Sequence, residues 1–229
     1  MVEDKLALSV SFDLSVTAAI KKRSSVRTYL PDRISRHDKK ILRNAMDALS
    51  NGNHRFVWFE RDSEIDFVER IGTYGVIKGA RSFLVGIMRN EFTHDKYAAV
   101  HFGFDFEQLI LKASEVGLGT CWIAGTYIPP VFARQFSLRS GEKIVMVSPI
   151  GIPAGTRHLI AKIATRSANS ILRKPWKDMF FRGNTYTPLS EVEAGAYSPA
   201  LEMVRLAPSA VNSQPWRVVM DGSDFHFYA

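Results

Sequence analysis

The stretch Leu206-Ala207-Pro208-Ser209-Ala210-Val211-Asn212-Ser213-Gln214-Pro215-Trp216-Arg217 joins a helix-like run, Ala200 to Leu206, to a strand-like run, Val218 to Met220. Such a joint needs only two or three turn residues, yet this one carries two prolines, two amides and two hydroxyls. Pro208 and Pro215 fix their own φ and bias the residue before each towards an extended conformation. Ser209, Asn212, Ser213 and Gln214 then project donors and acceptors from a stiffened turn. Two readings follow. In one, the loop holds a flat polar ligand. In the other, it is a well-bonded turn in which Ser209 or Asn212 satisfies its own backbone.

Moving outward, the chain mixes helices and strands without strict alternation. Val16 to Lys22 reads as a short helix. His37 to Leu49 reads as a second, with Ile41, Leu42, Ala45, Met46 and Leu49 at helical spacing. Phe56 to Phe59 is a short strand and Ile65 to Ile71 a helix. Ser82 to Met88 is an apolar run of strand length, expected to be buried on both faces. Phe104 to Val116 is the clearest helix. Its apolar stripe is Phe106, Leu109, Ile110, Ala113 and Val116; Gln108, Lys112 and Glu115 form a narrow polar stripe. Glu107 and Glu115 read as surface charges. Gly117-Leu118-Gly119 stops this helix. Pro129 to Phe136 is a short helix and Lys143 to Val147 a strand, closed by Ser148-Pro149-Ile150-Gly151-Ile152-Pro153. Residues 154 to 190 read as irregular and basic. Ser190 to Leu206 is helical, with Ser190 and Glu193 spaced as a capping box. Asp221-Gly222 marks a hairpin between Arg217–Met220 and Phe225–Tyr228. The pattern is α+β with a mixed or antiparallel sheet flanked by helices.

A near-repeat stands out. Lys40 to Asn51 followed by His54 to Phe59 runs helix, Ala-x-Ser, asparagine turn, arginine, strand. Ala200 to Asn212 followed by Arg217 to Met220 runs the same way. The echo predicts two pseudo-symmetric halves resembling a fused dimer; two ordinary helix-turn-strand units that happen to align are the competing reading.

With 229 residues, 46% hydrophobic and 23% charged, the chain has the composition of a globular protein. No apolar run reaches membrane-span length. The amino-terminus, Met1-Val2-Glu3-Asp4-Lys5, lacks the basic start of a secretory signal. Cys121 is the only cysteine, which excludes an internal disulfide and fits a cytoplasmic setting. The net charge of +7 is spread along the chain without a dense basic run, which argues against nucleic acid and for a small phosphate-bearing ligand. The six histidines show no metal spacing, and neither Gly-x-Gly-x-x-Gly nor a P-loop occurs. Cys121 lies in an apolar run without a nearby base, so it reads as a packed thiol.

Two further segments carry chemistry. Arg23-Ser24-Ser25-Val26-Arg27 puts two guanidiniums and a hydroxyl at alternate positions, on one side of an extended segment. That set suits a phosphate dianion, since arginine forks pair bidentately with phosphate oxygens; a solvated basic loop is the plain alternative. Gly117 to Gly125 is small, stiff and apolar, and lets a flat ring approach the backbone; a helix cap followed by a buried strand is its plain alternative.

Jointly, Arg-x-Ser-x-Arg, Ala-Pro-Ser-x-x-Asn-Ser-Gln-Pro-Trp-Arg, Gly103 to Gly125 and Pro149-Ile150-Gly151-Ile152-Pro153 resemble the FMN-dependent nitroreductase family. The late position of the amide turn is similar to the internally duplicated, single-chain TM nitroreductases, as is Arg173 to Phe181. The resemblance implies a single nitroreductase-like domain over residues 1–229. Its first half would span about 16–165. Its second half, about 166–229, would be cut short at the carboxy-terminus. It also implies one surviving FMN site per chain, between the halves. Arg23, Ser25 and Arg27 would bind the phosphate, helped by Arg173 or Lys174. Pro208, Ser209, Asn212 and Gln214 would line one side of the flavin, and Trp122, Ile123 and Ala124 would pass its ring or N5 edge. No side chain acts as the acid or base. The implied activity is NAD(P)H:acceptor reduction of nitroaromatics or quinones by ping-pong hydride transfer, with NADH or NADPH as donor. The same fold performing other flavin chemistry, or a cofactor-free binding protein, are the competing expectations. The fused halves would let a monomer suffice, with a homodimer the alternative.

Overall fold

The computed structural model describes residues 6–60, 77–123, 138–154 and 172–229. The helices expected at Ile65–Ile71 and Pro129–Phe136, and the expected site residue Ala124, lie outside these. The chain divides into two compact units, residues 1–154 and 155–229.

The first unit contains helices α1 (Val16–Lys22), α2 (Arg36–Leu49) and α3 (Lys96–Glu115), with strands β1 (His54–Glu60), β2 (Ser82–Arg89), β3 (Gly119–Thr120) and β4 (Glu142–Gly151). The strands form one antiparallel sheet in the order β1-β2-β4-β3. Seven of the eight β2 residues are buried, as its unbroken apolar run requires of a central strand. Its side chains alternate between two cores. Leu84 and Met88 pack with α2 and α3; Phe83, Val85 and Ile87 pack with Tyr29, Ile123 and Val147. Gly86, on the helix side, makes room for Phe102 of α3, whose ring would lie 2.4 Å from a Cβ placed there.

Helix α3 begins eight residues before the expected Phe104. Asp95 caps it, accepting from the N–H groups of Tyr97 (2.8 Å) and Ala98 (3.1 Å). Exposed Tyr97 and Val100 disguise its first turns in sequence. The far end closes as expected on Gly117 (φ +83°): Leu118 N–H donates to Ala113 O and Gly117 N–H to Ser114 O. Strand β4 runs past its expected end through Pro149. That residue has no N–H to offer a neighbour, and alongside it the Cys121 N–H donates to the Ser148 hydroxyl at 3.1 Å.

The polar stripe of α3 is not a solvent face. Gln108 is 2% and Lys112 9% exposed. The extended segment before α1 lies over them. Ser9 and Val10 donate their N–H groups to Gln108 Oε1, Lys112 Nζ donates to Ser11 O, and Leu14 N–H donates to Glu115 Oε1. Lys112 and Glu115 also pair at 2.6 Å. Glu115 is therefore a bonded group rather than the loose surface charge expected, because a charge this enclosed is tolerable only when paired.

The second unit has strands β5 (Phe180–Arg182), β6 (Arg217–Asp221) and β7 (Asp224–Tyr228) and helices α4 (Glu191–Ala194) and α5 (Ser198–Leu206). Strands β5 and β6 are parallel, β6 and β7 antiparallel, so this sheet is mixed. The capping box at Ser190 and Glu193 is present. The single helix expected from Ser190 to Leu206 is interrupted at Gly195 (φ +54°), where a 3₁₀ turn intervenes. Met179, Phe180, Leu189, Leu201 and Val218 form the core, flanked by Trp176 and Trp216. Among the described residues, no helix is long and apolar enough to cross a membrane, and no cluster of metal-ligating side chains occurs.

Candidate functional site

In the first unit the Arg23–Arg27 segment leaves α1 and runs extended. Arg23 has φ −63° and ψ 132°. Val26 N–H donates to Thr120 O at 2.8 Å, and Ser25 bridges Thr120. This close approach depends on Gly119: a Cβ there would meet the Val26 side chain at 2.6 Å. Further on, Lys78 N–H donates to Arg27 O and Tyr29 N–H to Lys78 O. The segment is thus an added strand held at both ends, and it presents Arg23, Ser25 and Arg27 by alternation. The residue after Thr120 is Cys121, which carries a free thiol. Burial pushes that thiol up, while Arg27, a hydrogen bond from Ser25 and Arg23 pull it down. The thiol is buried, as a packing residue should be.

Trp122 and Ile123 follow. Ile123 N–H donates to Val147 O at 3.0 Å, and its side chain is buried in the core beneath the sheet. The Trp122 ring stands edge-on to Phe106, with centroids 4.7 Å apart and planes at 85°. Its indole N–H donates to Glu107 Oε2 at 2.7 Å. Glu107 Oε1 in turn lies 3.7 Å from Arg23 Nε. Burial pushes the Glu107 carboxyl up, while Arg23 and the indole bond pull it back. Glu107 is therefore no plain surface charge. The signal was present in the spacing: position 107 falls off the 108–112–115 stripe and stacks instead over Ile110, Leu111 and Ser114, all buried.

In the second unit the remaining expected residues form one hydrogen-bonded cluster. Gln214, 4% exposed, accepts from Lys174 N–H at 2.8 Å through Oε1 and donates from Nε2 to Leu172 O (3.3 Å) and Asn212 O (3.1 Å). Asn212 Nδ2 donates to Leu172 O at 2.9 Å, and Arg173 donates to Asn212 Oδ1 and Leu206 O. Lys174 Nζ donates to Gln214 O, and Gln214 N–H donates to Ser209 Oγ. Pro208 leads the chain into Ser209, whose backbone is extended (φ −143°). Val211, Asn212 and Gln214 all hold positive φ, at 47°, 57° and 46°. Such strain persists only where the surroundings over-determine it, and it gathers at ligand clamps. The loop is a bonded turn, and its bonds enforce a conformation the chain would not adopt alone.

A family model described as "Putative TM nitroreductase" matches residues 15–226. The chain belongs to this family. The TM nitroreductase assignment makes it an oxidoreductase with the nitroreductase α+β fold. Among solved structures, a nitroreductase from Thermotoga maritima is 22% identical with a TM-score of 0.55, over 98% of this chain and 79% of that one. A nitroreductase family protein from Clostridium difficile is 14% identical with a TM-score of 0.53, over 71% and 94%. A Desulfovibrio desulfuricans nitroreductase, solved in complex with FMN, is 20% identical with a TM-score of 0.50, over 72% and 99%. The comparison with curated proteins found no match.

Proposed function

We propose that this TM nitroreductase-family chain is an FMN-dependent oxidoreductase, taking reducing equivalents from NADH or NADPH and passing hydride to small acceptors of nitroaromatic or quinone type. The observation that supports the reading is that Arg23, Ser25 and Arg27 fall at alternate positions of an extended segment pinned to Thr120. Two guanidiniums and a hydroxyl on one side of a rigid strand are the donor set a phosphate dianion requires. When bound, FMN supplies hydride transfer through N5, and the protein supplies position and electrostatics.

In this reading Arg23 and Arg27 neutralise and grip the phosphate, and Ser25 adds a hydroxyl donor. Trp122, Ile123 and Ala124 provide the backbone run that passes the ring. Pro208, Ser209, Asn212 and Gln214 offer a preformed turn, and Arg173 and Lys174 stiffen it through the bonds described above. A turn already rigid loses little entropy when a ligand docks. With a single Arg-x-Ser-x-Arg and a single amide turn in the chain, one FMN per chain is expected.

The test is a flavin titration of the purified protein, followed by absorbance and by quenching of flavin fluorescence. Wild type should bind one FMN and turn over NADH or NADPH with a quinone acceptor. Arg23→Ala/Arg27→Ala should lose FMN. Retention of stoichiometric FMN by that double variant would remove these residues from the site. Failure of wild type to bind flavin would sink the reading.

A further inference from the structure

Glu107 joins two groups that the sequence motifs treat separately. One carboxylate oxygen, Oε2, accepts the Trp122 indole N–H at 2.7 Å; the other, Oε1, lies 3.7 Å from Arg23 Nε. Both groups are confined. The Arg23 side chain is 6% exposed, and the Trp122 ring is wedged edge-on against Phe106. Glu107 itself rises from the middle of α3, between buried Phe106 and buried Gln108, so its backbone cannot shift without moving the helix. A guanidinium enclosed in this way requires a partner, and the Glu107 side chain, 28% exposed, lies beside it.

The point of approach matters. A guanidinium carries five N–H donors in a rigid fork. Glu107 meets Arg23 at Nε, on the side of the fork, at a distance too long for a hydrogen bond and short enough for charge attraction. The Nη end, which grips phosphate bidentately, is not the end Glu107 engages. A carboxylate placed at the Nη end would compete with an anion; placed at Nε it aims the fork.

We propose that Glu107 is a positioning residue that locks Arg23 and Trp122 into one frame, setting the spacing between the phosphate-gripping guanidinium and the backbone run at Trp122–Ile123. The proposal rests on the FMN reading above, and it makes a claim that reading does not: affinity for the phosphate depends on a residue that never touches it. The carboxyl's upward displacement by burial, opposed by Arg23 and the indole, agrees with this placement.

The experiment compares FMN with riboflavin, which has the same ring and lacks the phosphate, on wild type, Glu107→Ala, Glu107→Gln and Arg23→Ala/Arg27→Ala. Loss of a charge-assisted contact predicts that Glu107→Ala weakens FMN binding about tenfold and leaves riboflavin binding within about twofold. Glu107→Gln keeps an oxygen for the indole but not the charge that attracts Arg23, so it should hold Trp122 in place while FMN affinity falls about as far as in Glu107→Ala. In apo protein, the Trp122 indole N–H resonance, assigned with Trp122→Phe, should move upfield in Glu107→Ala and stay near its wild-type position in Glu107→Gln. Equal losses for FMN and riboflavin, an unchanged FMN affinity or an unmoved Trp122 resonance in Glu107→Ala would each overturn the proposal. If Glu107→Ala does not fold, Glu107→Gln decides: an unchanged FMN affinity in that variant would overturn it. The arginine variant keeps the two ideas apart. If it binds FMN as wild type does, the FMN reading fails. If it loses FMN while Glu107→Ala does not, only the positioning role fails.

Discussion

The chain passes from helix to strand through serine and asparagine twice, and the two joints use the same residues differently. After α2, Ser50 donates its hydroxyl to Met46 O and accepts from Phe56 N–H. Asn51 Oδ1 accepts from Asn53 and His54 N–H, and its amide nitrogen meets His54 Nε2 at 3.3 Å. Every one of these bonds closes within ten residues of its origin. After α5, Asn212 and Gln214 reach back to Leu172 and Lys174, 40 residues earlier. The short joint is closed by its near neighbours. The long one is held in three left-handed backbone conformations by groups outside it. The difference teaches that an amide-rich loop becomes a rigid wall only when something remote accepts and supplies its hydrogen bonds.

The contrast can be broken most sharply at Gln214. Removing its buried amide in Gln214→Ala leaves the Lys174 N–H and the Leu172 and Asn212 carbonyls without that partner, a cost of about 3 kcal/mol to the second unit. Urea unfolding followed by tryptophan emission measures it, and a loss below about 1 kcal/mol would mean the remote bonds do not hold the turn.

The first unit has its own enclosed anchor, in the Arg55–Glu142 pair at 2.7 Å. Glu142 is 7% exposed along its side chain. The hydrogen bond from Arg55 holds its carboxyl down to about 2, against the cost of burial. A carboxyl depressed in the folded state stabilises fully above the ordinary carboxylate range and loses that contribution as pH falls towards 2. Arg55→Met should therefore cost about 2 kcal/mol near neutral pH and flatten the decline in stability between about pH 4.5 and 2. Chemical denaturation at stepped pH reports both, and an unchanged slope would place the acid response elsewhere.

Asn51→Ala, the short-joint counterpart of the Gln214 change, should cost only about 1 kcal/mol, because its bonds are local and water can replace them. The smallest effect is a gain. Val211 is 99% exposed and sits at φ 47°, where a β-branched side chain is strained and nothing is packed against it. Val211→Gly should stabilise the second unit by about 0.5–1 kcal/mol, read as a rise in urea midpoint; a lower midpoint would show that the left-handed turn costs less than supposed.

Much of the fold was legible locally. Helix α1 occupies its expected span, the Ser190 capping box forms, and the Asp221-Gly222 hairpin turns where glycine permits it. The unbroken apolar run of β2 announced burial on both faces. What escaped notice involved compensation. The start of α3 was masked by exposed Tyr97 and Val100, which spoil the amphipathic pattern that Asp95 nonetheless initiates. Strand β4 runs through Pro149, beside which the Ser148 hydroxyl accepts the Cys121 N–H. Strand β5 lay hidden in a stretch that reads as irregular and basic, since three residues carry too little periodicity to register.

By itself the sequence determined the periods, the caps and the side of an extended segment on which Arg23, Ser25 and Arg27 fall, because those depend on covalent neighbours within a turn or two. Only the tertiary structure decided which polar groups find partners. Gln108 bonds a segment 99 residues earlier, Glu107 bridges Arg23 and Trp122, and Asn212 reaches back to Leu172. The physical reason is that burial and hydrogen-bond satisfaction depend on where distant chain returns, and a buried polar group is stable only beside the partner that return supplies.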